Sequence, residues 1–169
     1  SGCIAVSLKY MLPKAFVTAY DLSNDALALA RKNAAINKVT VDFRQQDILQ
    51  PETENSEWDI IVSNPPYIPN AEKVEIQSNV LNFEPHLALF VPDNDPLLFY
   101  RKIIEFAAMH LKAGGQLFFE IHRDRGQEVM QLLSEAGFAE IELRKDLSGN
   151  DRMLKAGKKK INIWRIKPF

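Results

Sequence analysis

The stretch Ser63-Asn64-Pro65-Pro66-Tyr67 sets a polar amide, two rigid rings and an aromatic directly after the apolar run "DIIV". A strand-ending turn would use these residues, because proline stops the ladder and fixes the backbone. Nitrogen chemistry gives a better reason for them. A planar amide or aromatic amine carries two N–H donors, and the Asn64 side-chain oxygen with the Pro65 carbonyl makes an acceptor pair for both. Pro65 and Pro66 keep that carbonyl aimed, while Tyr67 offers a flat face for the planar group. Such a clamp points the nitrogen lone pair at an electrophile, as alkylation of a weak nucleophile requires.

The surrounding pattern supplies the elements that must hold this clamp. "GCIAVSLKYML" suits a short, largely buried helix closed by Pro13. "AFVTAYD" reads as a strand over 15–20 with Asp21 at its carboxyl end. "SNDALALARKNAAIN" reads as a helix capped by Ser23 or Asn24. "VTVDFRQQD" alternates as a strand followed by Asp47, and "EWDIIVS" is a strand over 58–63, apolar enough to be buried on both faces. From Pro65 to Pro96 no period is visible. "PLLFYRKIIEFAAMHL" is an amphipathic helix that "KAGG" should end in a glycine cap, "QLFFEIH" a strand, "GQEVMQLLSEAGF" a helix, and "AEIELRKD" a strand. "LSGNDRMLKAGK" reads as a loop before a last strand, "KKKINIWRIK", hairpin-paired with its predecessor. Strands alternating with helices predict a mostly parallel, doubly wound α/β sheet, and the two final strands an antiparallel edge.

In such sheets, ligands lie outside the carboxyl ends of the strands. Asp21, Asp47 and the Asn64–Tyr67 segment stand at three such ends. A carboxylate ending the second strand of a nucleoside-binding sheet can accept both ribose hydroxyls, although an Asp there also serves as a helix cap or turn residue. Asp47 carries the same ambiguity.

The chain has 169 residues, 46% hydrophobic and 25% charged, as expected of one soluble globular domain. Its net charge of -1 gives no basic footprint for duplex binding, so a nucleic-acid partner is not expected. The single cysteine, Cys3, excludes an intrachain disulfide and a multi-cysteine zinc site. It is expected to be a small buried helix residue. No apolar run approaches the roughly 20 residues that span a bilayer, and a cytoplasmic monomer is expected. His86, His110 and His122 lack metal-ligand spacing and read as surface or loop residues, and Lys158, Lys159 and Lys160 as a solvated loop.

"SNPPY" after a buried strand resembles the catalytic motif of S-adenosylmethionine-dependent methyltransferases that act on amide or exocyclic amino nitrogens. "SGCIAVSL" resembles the tail of their glycine-rich first motif, with Ser1 and Gly2 as the last residues of a G-x-G-x-G loop. On that reading the loop's start and the first strand lie upstream. "NFEPHLAL", "GGQLFFEIHRDRGQEV" and "KDLSGNDRM" are similar, in that order, to the release-factor glutamine methyltransferases, the HemK or PrmC family.

The resemblance implies a class I, Rossmann-like methyltransferase domain over residues 1–169, without the family's N-terminal helical docking domain. It implies S-adenosyl-L-methionine as cofactor, with Gly2 lining its methionine moiety, Asp21 on the ribose hydroxyls, and Asp47 with Ile48 flanking the adenine. Asn64 and Pro65 would accept the substrate amide N–H groups, with Pro66 and Tyr67 packing beside them. Glu84 and Pro85 would shape the substrate pocket. "DLSGNDR" would form a loop near the substrate entrance, or simply a solvated turn. The implied substrate is the glutamine of the Gly-Gly-Gln motif of a peptide chain release factor. Rival readings are a ribosomal-protein glutamine, an exocyclic amine of a nucleic-acid base, and a fragment that binds nucleosides without catalysis.

Overall fold

The computed structural model describes residues 1–51, 56–75, 85 and 88–160. Two compact units, Ser1–Thr53 and Glu54–Phe169, make up the chain. No helix among the described residues is long and apolar enough to cross a membrane.

The first unit is built on a β–α–β segment. Strands β1 (Thr18–Asp21) and β2 (Asp42–Gln45) pair in parallel, with Asp21 opposite Gln45. Parallel neighbours need a crossover, and helix α2 (Asn24–Ile36) supplies it. Ser23 is its cap: the Ser23 hydroxyl accepts the Ala26 N–H at 3.2 Å, and Asp25 sits in the first turn, where a negative charge suits the helix dipole. Leu27, Ala30 and Ala34 bury one face. Ahead of β1 lies α1 (Cys3–Met11), entered through Gly2 in the left-handed region at φ 67°. A Cβ on Gly2 would fall 2.6 Å from the Cβ of Ala30, so only glycine lets these two segments approach so closely. Of α1 only Ala5 and Val6 are buried, and Cys3 is exposed. The expected burial of Cys3 and of most of the helix is thus corrected: a helix packed along one narrow stripe leaves its other apolar residues outside.

In the second unit, β3 (Trp58–Ser63), β6 (Leu111–Glu120), β8 (Asp151–Lys158) and β7 (Phe138–Lys145) lie side by side in that order. The first pair is parallel and the other two antiparallel. The chain therefore makes β7 at the edge and returns to place β8 between it and β6. Burial explains the order, because β8 brings Leu154 and Ala156 into the core beside Leu117 and Phe119 of β6. Helix α3 (Leu98–His110) adds Tyr100, Ile103, Ile104, Phe106 and Ala107, and α4 (Gly126–Glu135) adds Val129 and Leu133. The segment after β3 holds a short parallel pair, β4 (Ile68–Pro69) with β5 (Phe90–Val91), and a 3₁₀ helix, Asn70–Glu75.

Four expectations change here. Strand β3 is not buried on both faces: it is the edge of its sheet, and Ile60 and Val62 are exposed. The "KAGG" glycines do not cap α3. That helix ends at His110 and the chain turns extended at once at Leu111. Residues 112–115 bulge from β6 between the Trp58–Leu111 and Ile60–Gln116 pairs, with Gly114 at φ 83°. The second strand of the hairpin begins at Asp151, so most of the expected loop is strand. Lys158 ends that strand and its ammonium donates to the Leu111 carbonyl at 2.6 Å. Residues 161–167 of the expected last strand lie outside the described residues.

Candidate active site

Two strand ends in the first unit and two in the second carry the polar residues. In the first, Asp21 closes β1, and Asp47 follows β2 on the same side of the pair. Each Asp turns its own chain. Asp21 Oδ1 accepts the Ser23 N–H at 2.9 Å, and Asp47 Oδ1 accepts the Leu49 N–H at 2.9 Å. Asp21 is exposed, while Asp47 and Ile48 are half-buried. Gly2, in the same unit, offers a backbone without side chain at the mouth of α1.

In the second unit the parallel register sets Ser63 of β3 opposite Phe119 of β6, so Asn64 and Glu120 leave the sheet on the same side. Asn64 is exposed, Pro65 buried, and Pro66 and Tyr67 half-buried. The Asn64 amide is thus open to solvent while the proline beside it is packed against the protein. Glu84, expected at the pocket, and His86 lie outside the described residues; Pro85 is exposed.

Around Tyr67 the sheet assembles groups that sequence reasoning did not name. Its hydroxyl donates to Glu120 Oε1 at 2.9 Å and accepts from Arg152 Nη1 at 3.3 Å. Burial, then the charge and hydrogen bond of Glu120, push the phenol above its ordinary range, with Arg152 acting against them. Tyr67 therefore keeps its proton at neutral pH. His122 meets the Tyr67 ring edge-on, centroids 6.0 Å apart at 71°.

His122 lies in the loop after β6, one of the two expected places, but it is buried and not on the surface. Its Nδ1 accepts the Asp124 N–H at 3.2 Å, which leaves Nε2 to donate to Glu72 of the 3₁₀ helix at 3.2 Å. The His122 backbone N–H donates to the Tyr100 hydroxyl at 3.1 Å. His110 is half-buried, with its ring nitrogen 3.2 Å from the Ser56 carbonyl. The available signal for His122 was position: "EIH" runs apolar and acidic off the end of a central strand, where buried polar groups need partners.

Comparisons with known proteins agree with this architecture. The family model of the methyltransferase small domain matches residues 1–83. A release factor glutamine methyltransferase from Flavobacterium psychrophilum is 57% identical over 155 residues, covering 92% of this chain and 54% of that protein. One from Bacteroides thetaiotaomicron is 46% identical over 159 residues, covering 94% and 57%. The chain thus spans about half the length of the curated relatives it matches. Among solved structures, a methyltransferase from Pyrococcus furiosus shares the fold at TM-score 0.68 and 16% identity, covering 94% of this chain and 70% of that one. The fold is that of the class I S-adenosylmethionine-dependent methyltransferases. With such identity along almost all of its sequence, the chain belongs to the release factor glutamine methyltransferase family.

Proposed function

We propose that the protein transfers a methyl group from S-adenosyl-L-methionine to the side-chain amide nitrogen of the glutamine in the Gly-Gly-Gln motif of a peptide chain release factor. The 57% identity to the Flavobacterium psychrophilum relative carries this reading. Residues 1–169 act as the catalytic domain, in the cytoplasm and as a monomer, on a protein and not on nucleic acid. When bound, the cofactor supplies a methyl group on a sulfonium, already a good leaving group.

The donor set suits that molecule. Asp21 has two carboxylate oxygens for two ribose hydroxyls, and each oxygen can accept more than one bond, so the turn to Ser23 does not exclude the sugar. Gly2 presents bare backbone at the start of α1, where any side chain would meet Ala30 and Phe43. Asp47 and Ile48 hold the adenine from the end of β2.

Asn64 Oδ1 and the Pro65 carbonyl accept the two N–H groups of the glutamine amide and direct its lone pair. Orientation and exclusion of water supply most of the rate. No base acts before attack, since the nitrogen becomes acidic only as the new bond forms. Tyr67, holding its proton, packs against the amide and does not take a proton from it.

Mass spectrometry of a release factor incubated with the full-length protein and S-adenosylmethionine tests the proposal. A single methyl on the Gly-Gly-Gln glutamine is expected. Transfer only to a ribosomal protein or a nucleic-acid base would overturn the substrate.

A further inference from the structure

The Tyr67 phenol has one proton to donate and a lone pair to share, and both are engaged: Glu120 takes the first and Arg152 the second. Arg152 is itself aimed. Its Nε lies 3.4 Å from Asp146 Oδ2, and its Nη1 also reaches the Ile121 carbonyl at 3.4 Å. Each of these contacts is long and weak alone. A planar guanidinium makes them together, which an ammonium on a flexible stem would not.

Asp146 does more than face Arg152. Its Oδ1 accepts the N–H groups of Ser148 at 2.9 Å and Asn150 at 3.0 Å, so the turn joining β7 to β8 folds around the carboxylate that holds the guanidinium. The end of β3, the end of β6 and this turn converge on one hydroxyl. Tyr67 lies two residues beyond Pro65, across a single proline, so a ring fixed in place fixes the backbone that carries the acceptor pair.

We propose that Arg152, aimed by Asp146, is a positioning residue: with Glu120 it holds the Tyr67 ring and, through it, the Asn64–Pro65 acceptors. The turn at 146–150 then governs the clamp without touching the substrate. This rests on the methyl-transfer reading above.

A double-mutant cycle in the full-length protein tests it, with R152M, Y67F and the double variant compared in kcat, KM and thermal midpoint. If Arg152 acts through the phenol, each single variant lowers kcat about tenfold, with KM and midpoint little changed, and the double falls about tenfold, not a hundredfold. Losses that multiply, or an unchanged kcat in R152M, overturn the proposal. Should R152M not fold, D146N takes its place. It keeps an oxygen for the turn and removes the charge that aims Arg152.

If the wild-type protein leaves the release factor unmethylated, the reaction assignment fails separately. The brace is then read by NMR titration of the Tyr67 ring carbon beside the hydroxyl. Arg152 favours the phenolate, so R152M shifts the titration to higher pH, and superimposable curves overturn the brace.

Discussion

Asp21 ends β1 and Asp47 lies just past the end of its parallel neighbour β2, and each turns its Oδ1 onto the backbone N–H two residues later, at 2.9 Å in both cases. The turn-forming and ligand-binding readings of an acidic strand end are therefore not alternatives. One carboxylate can close its own turn and still present oxygen to solvent.

Asp21→Asn separates the two roles. The amide oxygen still closes the turn to Ser23, but one acceptor for the ribose becomes a donor. S-adenosylhomocysteine affinity should fall about tenfold or more, the worth of a hydrogen bond to a charged group, with the thermal midpoint unchanged. Calorimetric titration reads this directly. Undiminished affinity would remove Asp21 from the nucleoside site.

Asn64→Ala should do the opposite. By comparison with the loss of one preorganised polar group elsewhere, methyl transfer should drop about 100- to 1000-fold, while S-adenosylhomocysteine binds nearly as before. Equal losses in turnover and cofactor affinity would sink the assigned role.

Gly2→Ala probes packing in the first unit. A side chain there meets Ala30 at 2.6 Å on a backbone at φ 67°, so the variant should lose about 1–3 kcal/mol in urea unfolding. On an Ala30→Gly background, which itself costs about 1 kcal/mol in the helix interior, the same Gly2→Ala change should cost less by the part due to the clash and keep the part due to the backbone. An equal cost of Gly2→Ala with and without Ala30→Gly would mean that conformation alone requires the glycine.

Tyr100 should contribute to the loss of stability at alkaline pH. Its buried phenol is pushed well above the ordinary value of 10.0 by desolvation, with the hydrogen bond from the His122 N–H acting the other way. A phenol that holds its proton more tightly when folded contributes stability that is complete below about pH 10 and is lost as pH rises further. Tyr67 shifts in the same direction. Tyr100→Phe should remove its share of that alkaline loss, and at pH 7 should cost about 1–3 kcal/mol by leaving the His122 N–H unpaired. Urea melts from pH 7 to 11 measure both effects. Identical wild-type and variant slopes above pH 10 would exclude Tyr100 as a source.

The sequence itself determined the elements whose signals are local. Ser23 caps α2 because its hydroxyl and the Ala26 N–H lie within one turn, and β3 spans 58–63 as its apolar run requires. That Asn64–Tyr67 follows β3, that Asp21 ends β1 and that Asp47 lies just past β2 was readable because strand ends follow the local run of residue types. Strand β8 was misread because "DRMLKAGK" is polar and basic, and only the shelter of two neighbours makes it a central strand. The tertiary structure alone decided that β8 lies between β6 and β7, that His122 is buried, and that Glu120 and Arg152 meet on the Tyr67 hydroxyl. Those contacts join residues 53 and 85 positions apart. Their geometry comes from strand order and register, which the burial of Leu154, Ala156 and Phe119 selects collectively and no single stretch encodes.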